Sequence, residues 1–118
     1  MDRTQTRVLA QVLLKTGDKV DVSAILDYLG ANELEIVATV HSVSADPADG
    51  TTPQLLVKHA PVDDEHYFID FPSPVAVDLT RTGSTWVHVP YFTRYVGWFV
   101  DGTVSGDVTV TLDITAKG

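Results

Sequence analysis

The sequence predicts an all-β chain: an antiparallel β-sandwich or jelly-roll-like barrel of about eight strands, with at most one short helical turn near 24–29. Three observations predict it. Val and Thr dominate the composition, and β-branched side chains fit a pleated surface better than a helix, where their χ1 freedom is lost. Apolar and polar residues alternate in run after run. Gly, Pro and Asp punctuate those runs at roughly regular spacing. The 118 residues contain no evident linker, internal repeat or low-complexity stretch, so one domain over 1–118 is expected. A chain of this size buries very roughly two-thirds of its extended surface, enough for a core without staples.

The first strand is "RVLAQVLLKTG" (7–17), with Val8, Ala10, Val12 and Leu14 on one parity and Gly17 as its end. "DKVDVSAILDYLGAN" (18–32) is mixed. Ser23 could cap a helical turn carrying Ile25, Leu26 and Leu29 and stopped by Gly30, or "KVDVSA" could be a strand and only "ILDYLG" turn. "NELEIVATVHSVSA" (32–45) is a strong strand with Leu34, Ile36, Ala38 and Val40 facing one way. "DPADGTTP" (46–53) is a loop, dense in turn formers. "QLLVKHA" (54–60) is a strand with Leu55, Val57 and His59 on one face, and "PVDDE" (61–65) is an acidic loop. "HYFIDF" (66–71) and "PVAVDL" (74–79) read as two strands parted by Pro72 and Pro74, which suit a sheet edge. "TRTGST" (80–85) is a turn. "TWVHVPY" (85–91), "RYVGWFV" (94–100) and "DVTVTLDIT" (107–115) complete the set. "VSGD" reads as a hairpin turn between the last two, with Val108, Val110, Leu112 and Ile114 facing the core.

Charge and composition exclude several function classes. Sixteen acidic against eight basic residues give a net charge of −8, and the basic residues are scattered. Nucleic-acid binding needs clustered Lys and Arg, so it is not expected. No stretch approaches the ~20 apolar residues of a membrane span. "MDRTQTRVLAQ" has no signal-peptide core and little to bury at its start, so alone it should fray, and a neighbour is expected to hold it. The absence of cysteine removes disulfides, thiolate metal sites and Cys nucleophiles.

No motif carries catalysis. "DPADGTT" invites a calcium reading through Asp46 and Asp49, but the third position from Asp46 is Ala48 and the twelfth is Val57, so the EF-hand pattern fails. Asp63, Asp64 and Glu65 could hold a hard cation weakly, although a solvated acidic loop explains them. His41, His59, His66 and His88 form no close ligand pair, though His59 and His66 flank one hairpin and could meet across strands. No serine lies in a G-x-S-x-G elbow, and there is no phosphate-binding loop. The expectation is a protein that is not an enzyme and has no cofactor or metal.

The aromatics are the informative residues. They cluster in the second half, and Trp98 and Phe99 are adjacent, so they point to opposite faces of one strand. Exposed aromatic surface often marks contact with a partner or a sugar, and cover by a loop or the N-terminal segment explains it equally well. Trp98, Phe99, Tyr95, Trp86, Tyr91 and Arg94 are therefore the interaction candidates.

The stretch "RYVGWFVDGTVSGDVTVTLDITAKG" resembles the end of a family of small β-sandwich structural proteins of tailed-phage virions. Arg94, Tyr95, Val96, Trp98, Gly102, Ser105, Gly106, Thr109 and Lys117 carry the likeness, and Gly97 departs from the bulky or charged residue often found before the Trp. Upstream, "LLKTGDKVDVSA", "ELEIVATVHSVS" and "VAVDLTRTG" follow a similar order. The resemblance implies a virion component, assembled in the host cytoplasm. That component would be a capsid decoration, head–tail, tail or head-fibre accessory that binds other virion proteins in many copies as a homo-oligomer. It also implies a second role for the last strand, as an edge or flat face used in assembly. The competing reading is a carbohydrate-binding sandwich, in which two or three exposed aromatics would form a planar row on one sheet. A third is a subunit or inhibitor domain of a larger secreted assembly.

Overall fold

Alternation becomes structure wherever one parity can be buried. In β3 (Glu33–Val43), Leu34, Ile36, Ala38 and Val40 are all buried. In β4 (Gln54–Ala60), Leu55, Val57 and His59 share the inner face. In β8 (Val108–Lys117), Val108, Val110, Leu112, Ile114 and Ala116 do the same. The other strands are β1 (Thr4–Leu14), β2 (Ile25–Asp27), β5 (Ile69–Asp78), β6 (Gly83–Val89) and β7 (Tyr95–Asp101). The computed structural model describes residues 4–14, 25–43, 53–102 and 107–118.

The strands form two antiparallel four-stranded sheets, ordered β1-β8-β3-β6 and β2-β7-β4-β5. Their inner faces meet in one apolar cluster that includes Leu34, Ile36, Leu55, Val96, Trp98, Leu112 and Ile114. Burying each such side chain is worth about 1.5–3 kcal/mol, so this face-to-face packing is the main source of stability. The all-β sandwich class is what the alternation predicts.

Several local expectations need correction. The helical turn near 24–29 is instead β2. Ile25, Leu26 and Asp27 pair with Gly97, Val96 and Tyr95. The chain then turns at Leu29–Gly30, where the Asp27 carboxylate accepts the Leu29 N–H at 3.0 Å and Gly30 takes φ +87°. Ladder bonds to β7 outweigh the weak helical signal. The proposed Ser23 cap lies outside the described residues.

The start of "HYFIDF" is not strand. Glu65–Tyr67 form a 3-10 turn because the Asp64 side chain accepts the His66 N–H at 2.9 Å. The proposed pair of strands over 66–79 is one strand, β5, and the prolines appear as a register break. Lys58 pairs with Asp70, and the next residue back, Val57, pairs with Val75. Pro72 and Pro74 offer no N–H, so this edge strand bulges there.

The last two strands do not form a hairpin. β7 lies in one sheet and β8 in the other, so the connection between them crosses the sandwich. Residues 103–106 of that connection, like loop positions 46–52, lie outside the described residues. β8 is also not an edge. It is paired on both sides, with β1 and with β3.

The segment expected to depend on a neighbour is paired within the chain from Thr4 onward, where Thr4 opposes Ala116. An exposed ion pair from Arg7 to Asp113 (2.7 Å) lies along the same ladder.

Candidate interaction surface

Three connections gather at one end of the sandwich: 28–32 from β2 to β3, 61–68 from β4 to β5, and 90–94 from β6 to β7. The registers place them together. Ala60 and Asp27 both oppose Tyr95, while Leu34 opposes both Val89 and Ala116. Among the described residues six large apolar side chains are exposed, and five of them, Leu29, Val62, Tyr67, Ile69 and Tyr91, lie at this end. Tyr91 is 75% exposed. A cluster of exposed apolar side chains marks a contact surface more than the same residues scattered singly would.

His59 organises the centre of this end. It lies on the inner parity of β4, so the residue is only 7% exposed. The ring stacks on Phe71 at 4.8 Å and 10°. Nδ1 accepts the Thr93 N–H at 3.0 Å and lies 3.1 Å from the Thr93 hydroxyl. Nδ1 is therefore unprotonated and the proton sits on Nε2. Burial holds the His59 pKa below its ordinary 6.5, and a hydrogen bond to the Asp70 backbone opposes this. One neutral imidazole thus ties β4, β5 and the 90–94 connection together.

Beside it lies an open cleft of about 390 Å³, lined by His59, Ile69, Asp70, Pro72, Tyr91 and Phe92 among others. A second cleft of about 240 Å³, lined by Phe71, Pro72, His88 and Pro90, shares Tyr91 as a wall. Tyr91 stands between two apolar depressions. Phe92 packs edge-on against Tyr28 at 6.4 Å, which anchors the connection from below. Acidic side chains rim this end. Asp64 is held below the usual carboxylate range by the His66 N–H and side chain, and His66 is raised in turn by Asp64 at 2.8 Å.

The six sequence candidates fall in four places. Tyr91 belongs to the apolar end. Arg94 makes two bonds to the Asp27 carboxylate, at 2.9 and 2.8 Å, and its guanidinium lies 4.9 Å from the Tyr95 ring centre. That pairing holds Asp27 below its ordinary pKa and raises Arg94. Tyr95 and Phe99 share the outer face of the second sheet and are half-covered. Phe68 meets Phe99 edge-on at 5.6 Å, and the Lys58 ammonium lies 5.4 Å from it. Trp98 is not on the surface. It is 5% exposed, pointing into the core, because the inner parity of β7 is Val96, Trp98 and Val100. Trp86 is 62% exposed on the outer face of the first sheet, opposite Val37 and beside the His88 ring at 6.5 Å.

Sequence reasoning missed His59, Ile69, Pro72, Leu29 and Val62 as members of one surface. A signal existed for two of them: Leu29 and Val62 are apolar residues inside turn segments, where burial is rare. The two histidines that could have met across the hairpin each have another partner. His59 bonds Thr93, and His66 bonds Asp64. Among the described residues no three His, Asp or Glu side chains converge as a metal site, and no helix is long and apolar enough to cross a membrane. No family model, curated protein or solved structure matches the chain.

Proposed function

We propose that the protein is a non-enzymatic structural component of a tailed-phage virion, an auxiliary protein that docks on the capsid or head–tail lattice in many copies. The observation that carries the binding role is the gathering of five exposed apolar residues at one end of the sandwich, around Tyr91. Rigid strands hold that end, and its connections are tied down by the His59–Thr93 bonds and the Arg94–Asp27 pair. A preorganised apolar patch with an acidic rim suits a protein neighbour, and a repeated lattice multiplies a weak contact by avidity. The assignment to a virion rests on the resemblance carried by residues 94–117 and by the similar order of the upstream stretches.

The carbohydrate reading draws less support. Its platform needs two or three exposed aromatics in a planar row. Tyr67, Trp86 and Tyr91 are strongly exposed, but they lie in a 3-10 turn, in β6 and in the 90–94 connection. Tyr95 and Phe99 do share a face, but Arg94 and Phe68 lie over them.

The test is mass by light scattering with and without purified capsid and tail assemblies, beside a glycan array. The expected result is lattice binding that a Tyr91→Ser/Ile69→Ser double substitution abolishes while the circular dichroism spectrum is unchanged. A truncated interface anchor costs about 2 kcal/mol or more, and avidity multiplies that loss over many copies. A strict monomer that ignores every lattice and binds glycans overturns the proposal.

A further inference from the structure

The two sheets have four edges, and three of them carry the devices by which natural sheets avoid pairing with other chains. β1 has two register breaks, between Arg7 and Leu9 and between Leu9 and Val12. β2 is only three residues long and carries Asp27. β5 carries Pro72 and Pro74, a register break and two aspartates. β6 has none of these. "GSTWVHV" contains no proline and no Asp, Glu, Lys or Arg, and its register against β3 runs unbroken from Val89 to Gly83. Among the described residues β6 pairs on one side only, with β3, so its other edge presents a row of backbone donors and acceptors.

We propose that β6 is a self-pairing edge, and that its occupant is the β6 strand of a second copy of this chain, antiparallel about a two-fold axis. Full overlap of Gly83–Val89 with its copy sets residue 86 opposite residue 86 of the partner. Two Trp86 side chains, each exposed on the outer face, then stack across the axis as an aromatic cross-strand pair. Charge favours this occupant. The chain carries −8, and β6 has no Asp, Glu, Lys or Arg to repel its copy. The acids nearest to it are engaged, Glu33 with His88 at 3.4 Å and Glu35 with Lys117 at 2.6 Å. The geometry also stops at two copies. An isologous contact closes, and the joined sheet would run from β1 to β1 of the partner, both broken in register. A seven-residue edge buries less than the roughly 1,600 Å² of a standard stable interface, so the pairing is weak in dilute solution.

The proposal does not rest on the virion reading. Its experiment uses the purified chain alone, so either can fail without the other. The natural chain has no cysteine, so one substitution supplies one thiol. Trp86→Cys is compared with Gln5→Cys, an exposed position on the β1 edge, under oxidised glutathione. Cβ atoms directly opposite in an antiparallel pair are about 5 Å apart, close enough for a disulfide after slight adjustment. The expected result is disulfide-linked dimer from Trp86→Cys at a yield at least ~10-fold above Gln5→Cys, the contrast between an oriented and a collisional pair. Equal yields overturn the proposal. A second measurement uses sedimentation up to roughly 1 mM, where weak pairing becomes visible. Trp86→Glu and Trp86→Lys should each be monomeric, and their equimolar mixture should dimerise. A mixture that stays monomeric, or single variants that dimerise as the natural chain does, also overturns it.

Discussion

Replacing His59 by Ala removes the acceptor for the Thr93 N–H and the ring stacked on Phe71. A backbone hydrogen bond of this kind is worth about 1 kcal/mol. The Thr93 hydroxyl can turn to water, so its loss adds little. The stacked ring contributes a further ~1 kcal/mol beyond its area. The cleft beside His59 is open to solvent, so the vacated space fills with water and the cavity cost is small. The expected loss is therefore about 2 kcal/mol in urea unfolding, or roughly 8 °C in melting temperature for a chain of this length.

The pH dependence gives a sharper check. The folded His59 pKa lies below its ordinary 6.5, so the unfolded chain binds more protons between those two values. The His59 contribution is fully present above pH 6.5 and is lost as pH falls through the folded value. His66 works in the opposite sense: its raised pKa gives a contribution present below 6.5 and lost as pH rises through the raised value. The difference between wild type and His59→Ala cancels His66 and isolates His59. That difference should shrink from about pH 7.5 to about pH 5. In an NMR titration His59 should show a lower midpoint than His66. A loss under ~0.5 kcal/mol, a difference that does not shrink, or the reverse order of midpoints refutes the reasoning.

Two further predictions concern the core and one turn. Trp98→Ala should cost about 3–5 kcal/mol, whereas Trp86→Ala should stay within ~0.5 kcal/mol for the dilute monomer. In single-Trp variants iodide should quench only the fluorescence of Trp86, and equal quenching of both would place Trp98 at the surface. Gly102 takes φ +86°, and a Cβ there would meet the Pro53 Cα at 3.4 Å. Gly102→Ala should therefore cost about 1–3 kcal/mol in chemical denaturation, and a neutral result would show that this turn relaxes.

Much of the fold was legible because period-2 alternation reports which parity is buried. Leu34 to Val40 and Val108 to Ile114 reveal their inner faces directly. The same rule made the burial of His59 readable, since it shares parity with Leu55 and Val57. Short-range chemistry was less legible. The Asp64 cap that bends 65–67 into a 3-10 turn competes with a strand-like string, and the two differ by about one hydrogen bond. Ile25–Asp27 is too short for any period to emerge. Its strand character comes from β7 alone.

By itself, then, the sequence determined the all-β class, the inner face of most strands and the absence of any known catalytic motif. It did so because those properties depend on neighbours one to four residues away. Tertiary structure alone decided which strands pair. "VSGD" looks like a hairpin turn, yet the strands around it lie in different sheets, and alternation carries no information about partners. That one topological fact makes β8 a central strand, while pairing with β3 alone leaves β6 at the rim of the same sheet among the described residues. It also decides which aromatics matter. Trp98 fills the core and Trp86 faces water, although each sits mid-strand in a similar string. The five exposed apolar residues, Tyr91 among them, come from three separate connections and the start of β5, and only the docking of two sheets brings them to one end.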